Sequence, residues 1–226
     1  MLLDLPSIVK PVFRGVLQIG AHFGGEHAKF REIGCTNFCY IEPNPDSFRK
    51  LMEKVEPMRA EGETVDYFNK AIGPPGGPNL LYVERANGGQ SCSLLKPKVH
   101  CIQYPQIVFD ELPIEVSVVG LDDLLGLAVS SQMGFDRDAL DLISIDIQGY
   151  ELQALQTGLE QLKRTKAIVA ELNRSELYEG CAMHATVVEF LESQGFELIR
   201  LNWAGVTWGD GLFVRKDAKE EILLED

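Results

Sequence analysis

Short apolar runs alternate along the chain with segments of helical spacing, and glycine- or proline-rich turns separate them. The runs predict strands at 16–19, 37–41, 65–71, 80–84, 115–119, 141–147, 167–172, 196–202 and 212–215. Helices are predicted over 26–33, 121–129, 150–162 and 185–194, and from Asp46 or Ser47 to about Val55. This alternation predicts an α/β fold with a mostly parallel, doubly wound sheet and a C-terminal antiparallel hairpin around 203–211.

The length and the even composition of the chain indicate a single domain. Its 226 residues are 45% hydrophobic, and no repeat, low-complexity tract or linker divides residues 1–226. Segment 84–115 contains a loop at 87–93 and is predicted to be an insertion on the substrate side, because long connections in compact domains are often functional. The acidic tail, 217–226, is predicted to be frayed.

Charge and cysteine content narrow the classes of partner. A net charge of −13 disfavours broad binding to nucleic acid and docking on an anionic membrane, although a local basic pocket stays possible. No apolar run approaches the roughly 20 residues that span a bilayer, and the first residues lack a basic signal-peptide region. The five cysteines form no CxxC pair, so we expect no zinc-type metal site. We expect the thiols to be reduced, and therefore a cytoplasmic location.

Polar groups follow the first two predicted strands, where α/β sheets bind their ligands. Gln18-x-Gly20-x-x-x-Gly24 follows the first strand, and its glycines allow a tight turn and close approach of a ligand. Glu42 ends the next strand about 20 residues later, where an acid can accept hydrogen bonds from both ribose hydroxyls. Because His22 interrupts the GxGxxG pattern of dinucleotide sites, the turn suits a nucleoside that lacks phosphates.

Three further strand ends carry polar side chains. Asn69-Lys70-Ala71 ends the third predicted strand, at the edge that flanks an adenine in this fold. Asp146 lies inside an apolar run and Glu171 follows another, and a buried carboxylate without a partner is costly. Near one cleft the two acids would tune each other's pKa, orient a substrate or bind a metal. Alternatively, they accept hydrogen bonds from backbone N–H groups of neighbouring turns.

Several segments together resemble one family. The most specific is LISIDIQGYELQAL at 142–155, which is similar to a strand–IDxxGxE–helix signature. It is accompanied by QIGAHFGG at 18–25, IEPNP at 41–45, NKAIG at 69–73, GGQSCSLL at 88–95 and VGLDDLL at 119–125. From about Val16 to Arg215 the chain resembles the FkbM-type methyltransferases, a branch of the class I S-adenosylmethionine-dependent methyltransferases with a Rossmann-like fold.

The resemblance implies S-adenosyl-L-methionine as the cofactor and O-methylation of a hydroxyl on a small molecule or sugar. The expected cofactor-binding residues are Gln18, Gly20, Ala21, Gly24, Glu42, Pro43, Asn44, Asn69, Lys70, Ala71 and Asp146. Gln18 departs from the family pattern, in which an Asp or Glu is common at this position. A glutamine can accept a hydrogen bond from the methionyl ammonium but lacks the attraction of a charge.

Methyl transfer to an alcohol requires alignment of the reactants and removal of a proton. The candidate bases are His22, Asp146 and His184, in descending order of placement, and Glu171 completes the predicted catalytic residues with His22 and Asp146. His22 can equally be a hydrogen-bonded loop residue, and His27 and His100 have no motif context.

The acceptor pocket and two alternative functions stay open. Aromatic side chains that could line the pocket are Tyr104, Trp203 and Trp208, although aromatics more often belong to cores. Little chain precedes the first strand, so segment 84–115 or a partner subunit in a homodimer would complete the pocket. A catalytically degenerate cofactor-binding protein and an NAD-dependent oxidoreductase are the alternatives, and the missing GxGxxG argues against the second.

Overall fold

The computed structural model describes residues 2–130 and 136–224. Their strands are β1 Gly15–Ile19, β2 Asn37–Ile41, β3 Thr64–Phe68, β4 Ala71–Ile72, β5 Leu80–Leu81, β6 Ile114–Glu115, β7 Val118–Val119, β8 Leu142–Ile145, β9 Ala167–Asn173, β10 Phe196–Ala204 and β11 Trp208–Arg215. Their α-helices are α1 His27–Glu32, α2 Pro45–Val55, α3 Val99–Gln103, α4 Leu121–Ser130, α5 Glu151–Gln156, α6 Leu159–Leu162, α7 His184–Ser193 and α8 Lys219–Ile222. Within these ranges, none of the helices has the length and hydropathy that crossing a bilayer requires.

Seven of the described strands form one sheet in the order β10-β11-β9-β8-β1-β2-β3. The pairs β1–β2, β1–β8, β2–β3 and β8–β9 are parallel, whereas β11 runs antiparallel to both β9 and β10. The predicted mostly parallel sheet with a C-terminal antiparallel hairpin is therefore confirmed. The chain winds outward from β1 to β3 and then crosses to β8, so the order reverses between β1 and β8. Ligands of open α/β sheets bind at such a switch point.

Apolar residues cover both faces of this sheet. Consecutive residues of β1 divide between the two largest buried clusters of the described chain, with Val16 in one and Leu17 in the other. Helices α4 to α7 pack with Leu17, and helices α1, α2 and α8 pack with Val16. The sheet is therefore doubly wound, as its strands of continuous apolar residues predicted.

The C-terminal segment corrects the expectation of a frayed tail. After a short 3-10 turn at Lys216–Ala218, helix α8 lies on the sheet, and Ile222 is fully buried among the residues that surround Val16. Leu223 forms a β-bridge with Val9. The prediction of a frayed tail is wrong for 217–224. The many acidic residues make two buried apolar positions, four residues apart, hard to recognise in the sequence. Residues 225 and 226 lie outside the described chain.

Three other elements differ from their predicted bounds. The predicted helix at 150–162 divides into α5 and α6 around Gly158, where a Cβ would lie 2.5 Å from the Leu121 side chain. The predicted strand at 65–71 ends at Phe68, and Ala71–Ile72 pairs instead with Val118–Val119 outside the main sheet. The hairpin turn is also narrower than expected, because β10 and β11 extend to Ala204 and Trp208.

Residues 84–115, here called the cap, lie over the carboxyl end of the sheet. Of the predicted strand at 80–84, Leu80–Leu81 pairs with Ile114–Glu115 and so joins the two ends of the cap, and positions 82 and 84 form isolated β-bridges. Within the cap, short bridges and the five-residue helix α3 replace long regular elements. A small apolar cluster around Leu81, Val83 and Leu94 holds the cap against Tyr150 at the start of α5.

Candidate active site

A cavity of about 530 Å³ lies at the carboxyl ends of the central strands, beneath the cap. This volume falls within the range typical of small-molecule sites. Its wall includes nine of the predicted site residues: Gln18, Gly20, His22, Glu42, Pro43, Lys70, Ala71, Asp146 and Glu171. The structure thus brings together residues that span more than 150 positions of the sequence, as the meeting of parallel strand ends requires.

Gly20 allows the end of β1 to approach the turn after β8. Its φ is +81°, and a Cβ at this position would lie 2.0 Å from the carbonyl oxygen of Asp146. The Gly20 N–H donates to the carbonyl of Ile41, 2.9 Å away. A side chain at position 20 would therefore displace the floor of the cavity.

Four predicted cofactor residues support the wall from behind rather than line it. Ala21 is fully buried, and a Cβ at Gly24 would meet Leu51 and Val55 of α2 at 2.8 and 2.7 Å. The side chain of Asn44 caps α2 by accepting a hydrogen bond from the Asp46 N–H. Asn69 donates its amide hydrogens to the carbonyls of residues 42 and 43, at 2.8 and 3.1 Å, and so fixes the loop after β2.

Glu42 follows β2 and its carboxylate is almost fully buried. One carboxylate oxygen accepts the N–H of His22 and the other accepts the N–H of Asn44, both at 2.8 Å. Burial nevertheless raises the pKa of Glu42 to about 7, with a smaller contribution from the charge of Asp146. Each oxygen retains a second acceptor position, which matches the pair of ribose hydroxyls predicted for this residue.

Asp146 follows β8 and belongs to a group of three carboxylates with Glu151 and Glu171. Oxygen atoms of the three lie within 4.8 Å of one another. The amide of Gln148 donates to Asp146 at 2.8 Å and to Glu171 at 2.9 Å, and Glu151 accepts the N–H groups of residues 147 and 149. The two predicted acids, Asp146 and Glu171, thus share one cleft as expected, but the donor they have in common is the Gln148 side chain and not a backbone N–H group of a turn.

The electrostatic effect of this group is to favour protonated carboxyls. Burial raises the pKa of Glu151 to about 7 and that of Glu171 well above its ordinary value. The Asp146 side chain is exposed to the open cavity, but it is surrounded by protein on its other sides, and the resulting loss of hydration raises its pKa to about 6. The charge of Asp146 adds to the effect of burial on Glu151 and Glu171, whereas the charge that adds most to the shift of Asp146 itself is that of Asp210. Three carboxylates this close can also hold a divalent cation, provided that the Gln148 side chain moves away from Asp146 and Glu171.

His22, the first candidate base, connects the glycine turn to the cap. Its Nε2 lies 2.8 Å from the carbonyl oxygen of Gly88, and its ring stacks on Phe23 at 3.6 Å between centroids. Because a carbonyl only accepts, Nε2 carries the proton, and Nδ1 is the ring atom that can act as a base. Burial lowers the pKa of His22, so the ring is neutral near pH 7.

His184 and Trp203 do not line the cavity. They contact each other edge to face, with ring centroids 5.6 Å apart, and Arg174 lies 3.6 Å above the Trp203 ring. By contrast, Tyr104 and Trp208 do line the cavity, and the Trp208 Nε1 donates to the Tyr104 hydroxyl at 3.1 Å. The placement predicted for His184 as a base is therefore wrong.

His100 is a functional candidate that sequence reasoning missed. It lines the cavity from α3, is almost fully buried, and packs against the rings of Tyr104, Phe109 and Tyr178. Its Nδ1 has no hydrogen-bond partner among the described residues, and burial lowers its pKa. No motif surrounds it, because its position depends on how an irregular segment folds over the sheet.

Side-chain hydrogen bonds join the cap to the rest of the cavity wall. The Tyr178 hydroxyl lies 2.9 Å from both the Ser91 carbonyl and the Gln148 amide oxygen, and the Ser93 hydroxyl donates to the Gln148 carbonyl at 2.8 Å. On the other side, the Gln103 amide donates to Thr207 in the hairpin turn at 2.8 Å. The cap, the turn after β8 and the hairpin therefore form one enclosure.

The chain is similar in sequence to known methyltransferases. Residues 18–198 match the family model described as "Methyltransferase FkbM domain". The 2-O-methyltransferase NoeI of Sinorhizobium fredii (strain NBRC 101917 / NGR234) is 29% identical in an alignment 191 residues long, which covers 81% of this chain and 72% of NoeI.

Two solved structures align with most of this chain. A protein in the NADB-Rossmann superfamily from Streptococcus agalactiae has a TM-score of 0.50 at 12% identity, covering 93% of this chain and 65% of that chain. The magnesium protoporphyrin IX methyltransferase (ChlM) from Synechocystis PCC 6803, solved with bound SAM, has a TM-score of 0.48 at 10% identity, covering 94% of this chain and 72% of that chain. The sheet order, the cavity and the match over residues 18–198 agree, and this chain belongs to the FkbM methyltransferase domain family of S-adenosylmethionine-dependent methyltransferases.

Proposed function

We propose that the protein transfers the methyl group of S-adenosylmethionine to a hydroxyl oxygen of a small molecule or saccharide. The observation that carries the proposal is the division of the cavity wall into two sides. Strand ends with Gly20, Glu42 and Asp146 form one side, and the cap places His100 and aromatic rings on the other. The name of the relative NoeI, a 2-O-methyltransferase, supports oxygen as the methyl acceptor.

The strand-end side fits the cofactor. The Oε1 atom of Gln18 is buried without a partner in the described part of the chain, and Gly20 lets the end of β1 pack closely against the Asp146 carbonyl in the cavity wall. Glu42 retains acceptors for ribose hydroxyls, and Lys70 and Ala71 lie beside it in the cavity wall, at the edge expected for adenine. When bound, the cofactor supplies a methyl group on a positively charged sulfur, which a nucleophile displaces in line.

The residues of the chain would orient the acceptor, exclude water and remove its proton. Enclosure by the cap reduces the access of water to the cavity. The hydroxyl proton requires a neutral base, and two histidines of the wall meet this requirement: His100, and His22 through Nδ1. Aromatic side chains beside His100 suit the apolar face of a sugar or other ring.

We further propose a cytoplasmic location and no contact with nucleic acid or membrane. All five cysteines are free, and three of them, Cys35, Cys39 and Cys181, are buried. Free thiols are typical of reducing compartments. A homodimer stays a prediction, although the cap of the same chain already supplies much of the acceptor side of the cavity.

Calorimetric titration with S-adenosylhomocysteine tests the cofactor site with a matched pair of glycine variants. We expect the wild type to bind and Gly20→Ala to lose binding, because its Cβ would overlap the Asp146 carbonyl. Gly126→Ala is the control, since Gly126 lies on α4 outside the cavity wall and a Cβ there meets no atom within 4 Å. Thermal protection by NADH but not by S-adenosylhomocysteine would contradict the proposal and favour an oxidoreductase.

Transfer of a labelled methyl group from S-adenosylmethionine to monosaccharides and phenols then tests the reaction. We expect a methyl ether, identified by mass spectrometry, from at least one hydroxylated acceptor. Cofactor binding with no transfer to any class of hydroxyl would instead indicate a degenerate methyltransferase.

A further inference from the structure

Gln18 and Glu26 form a pair at the end of the cavity next to β1. The Gln18 amide nitrogen donates to a carboxylate oxygen of Glu26 at 3.1 Å, and both residues line the cavity. Gln18 is 5% exposed, whereas Glu26, which directly precedes α1, is half-buried. A neutral side chain at the end of β1 is therefore joined to a charged one eight residues later.

This pairing fixes the orientation of the Gln18 amide. A carboxylate can only accept, so the NH₂ end of the amide must face Glu26, and the carbonyl end must point away from it. That carbonyl oxygen is buried and has no hydrogen-bond partner among the residues that the structure describes. A buried acceptor without a partner is costly, and in a cavity wall it indicates a ligand that donates.

The surroundings of the pair favour a cation. Asp146 and Asp210 lie in the same wall, and the charge of Glu26 adds to burial in raising the pKa of both. Asp210 already accepts the backbone N–H of Leu2. An ammonium group has three donors and no acceptor, so it can donate to the unpartnered Gln18 carbonyl and at the same time contact the Glu26 carboxylate.

We propose that Glu26, together with Gln18, holds the α-ammonium group of the cofactor's methionyl part. The negative charge that is common on the first strand in this family is thus supplied here from the residue before α1. This inference rests on the proposed binding of S-adenosylmethionine. In this assignment Glu26 supplies the charge that increases cofactor affinity, and Gln18 supplies a neutral hydrogen-bond acceptor in the same site.

Calorimetry with two nucleosides tests the assignment. S-adenosylhomocysteine carries the ammonium group, whereas 5′-methylthioadenosine has the same nucleoside and sulfur but no amino-acid part. We expect Glu26→Gln to weaken S-adenosylhomocysteine binding about tenfold or more, the size expected for a charge-assisted hydrogen bond. Binding of 5′-methylthioadenosine should stay unchanged, and Glu32→Gln, on the exposed part of α1, should alter neither affinity.

A charge exchange gives an independent readout. Moving the carboxylate back to the strand in the double variant Gln18→Glu, Glu26→Gln should restore affinity for S-adenosylhomocysteine relative to Glu26→Gln alone. The inference is overturned if Glu26→Gln leaves S-adenosylhomocysteine binding intact, or weakens both ligands equally, as a distorted site would. If the wild type binds neither nucleoside, the proposed function itself fails. This outcome is distinct from the two results for Glu26→Gln that would overturn the inference alone.

Discussion

Buried carboxyl groups around one cavity give this protein an unusual response to protons. Burial raises the pKa of Glu42 from 4.5 to about 7. A raised pKa in the folded state means that folding takes up protons between these two values. The contribution of Glu42 to stability is therefore fully present below pH 4.5 and is lost as the pH rises through 7.

Replacing Glu42 with glutamine should remove this dependence in the ligand-free protein. A constant loss is expected at every pH, because an amide nitrogen cannot accept one of the two N–H groups that Glu42 binds. Compared with Glu42→Gln, the wild type is expected to lose roughly 2–3 kcal/mol more unfolding free energy between pH 5 and pH 8, at about 1.4 kcal/mol per pKa unit. Urea unfolding at both pH values measures the difference, and Glu32→Gln serves as the exposed control. Parallel pH profiles for wild type and Glu42→Gln would contradict the expectation.

The candidate bases show what motifs reveal about single residues. His22 was predicted to lie near the cofactor turn, and it does, but its Nε2 is bonded to Gly88 of the cap. His100 has no motif, yet it reaches the same cavity with a free Nδ1 among the described residues. The position of His22 follows from its spacing after the first strand, whereas the position of His100 depends on how the cap folds.

Helix α8 illustrates how a short element acquires stability from packing. It has four residues, too few for a stable helix in isolation. Ile222 is fully buried against the face of the sheet that includes Val16, and Lys219 pairs with Glu197 of β10 at 2.9 Å. Tertiary contacts therefore hold this acidic segment in place.

Truncation of Ile222 should reveal that contribution. We expect Ile222→Ala to lower the unfolding free energy by about 2–5 kcal/mol, as for other buried aliphatic side chains. Leu224→Ala is the matched control, because Leu224 is 43% exposed and surface changes usually cost less than about 0.5 kcal/mol. Equal effects of the two substitutions in denaturant unfolding would mean that α8 is not docked in solution.

At the scale of the whole molecule, the net charge of −13 limits the possible acceptors. Polyanions are repelled by such a surface, and small neutral molecules are not. The acidic residues Glu26, Glu42, Asp146, Glu171 and Asp210 line the cavity and outnumber its lysines, Lys54 and Lys70, although burial favours the neutral form of Glu42 and Glu171. Charge therefore favours a neutral or cationic acceptor over RNA or DNA.

Fluorescence anisotropy with a labelled RNA oligonucleotide tests this view. We expect no binding at about 1 µM protein in low salt, where even non-specific electrostatic binding becomes visible for basic proteins. The lysine charges could be neutralised by acetylation as a control, which should leave the result unchanged. Binding that weakens steeply as salt is added would show a local basic surface and contradict the expectation.

The sequence by itself determined the fold class, the strand ends that carry the site and the family. Apolar runs, glycine turns and acids at strand ends are local signals, and parallel strands must bring their carboxyl ends together. These signals alone predict that Gly20, Glu42 and Asp146 meet at one edge of the sheet, and all three line the cavity there. Only the tertiary structure decided which of the predicted residues face that cavity and which support it, as Gly24 and Asn69 do.

The tertiary structure also decided the course of the cap, the packing of α8 and the pairing of Gln18 with Glu26. The physical reason is that two-residue strands and four- or five-residue helices carry too few residues to show a periodicity. Their conformation depends on contacts between distant parts of the chain, such as Gln103 with Thr207 and Tyr178 with Ser91. Such contacts form only after the sheet has brought those parts together.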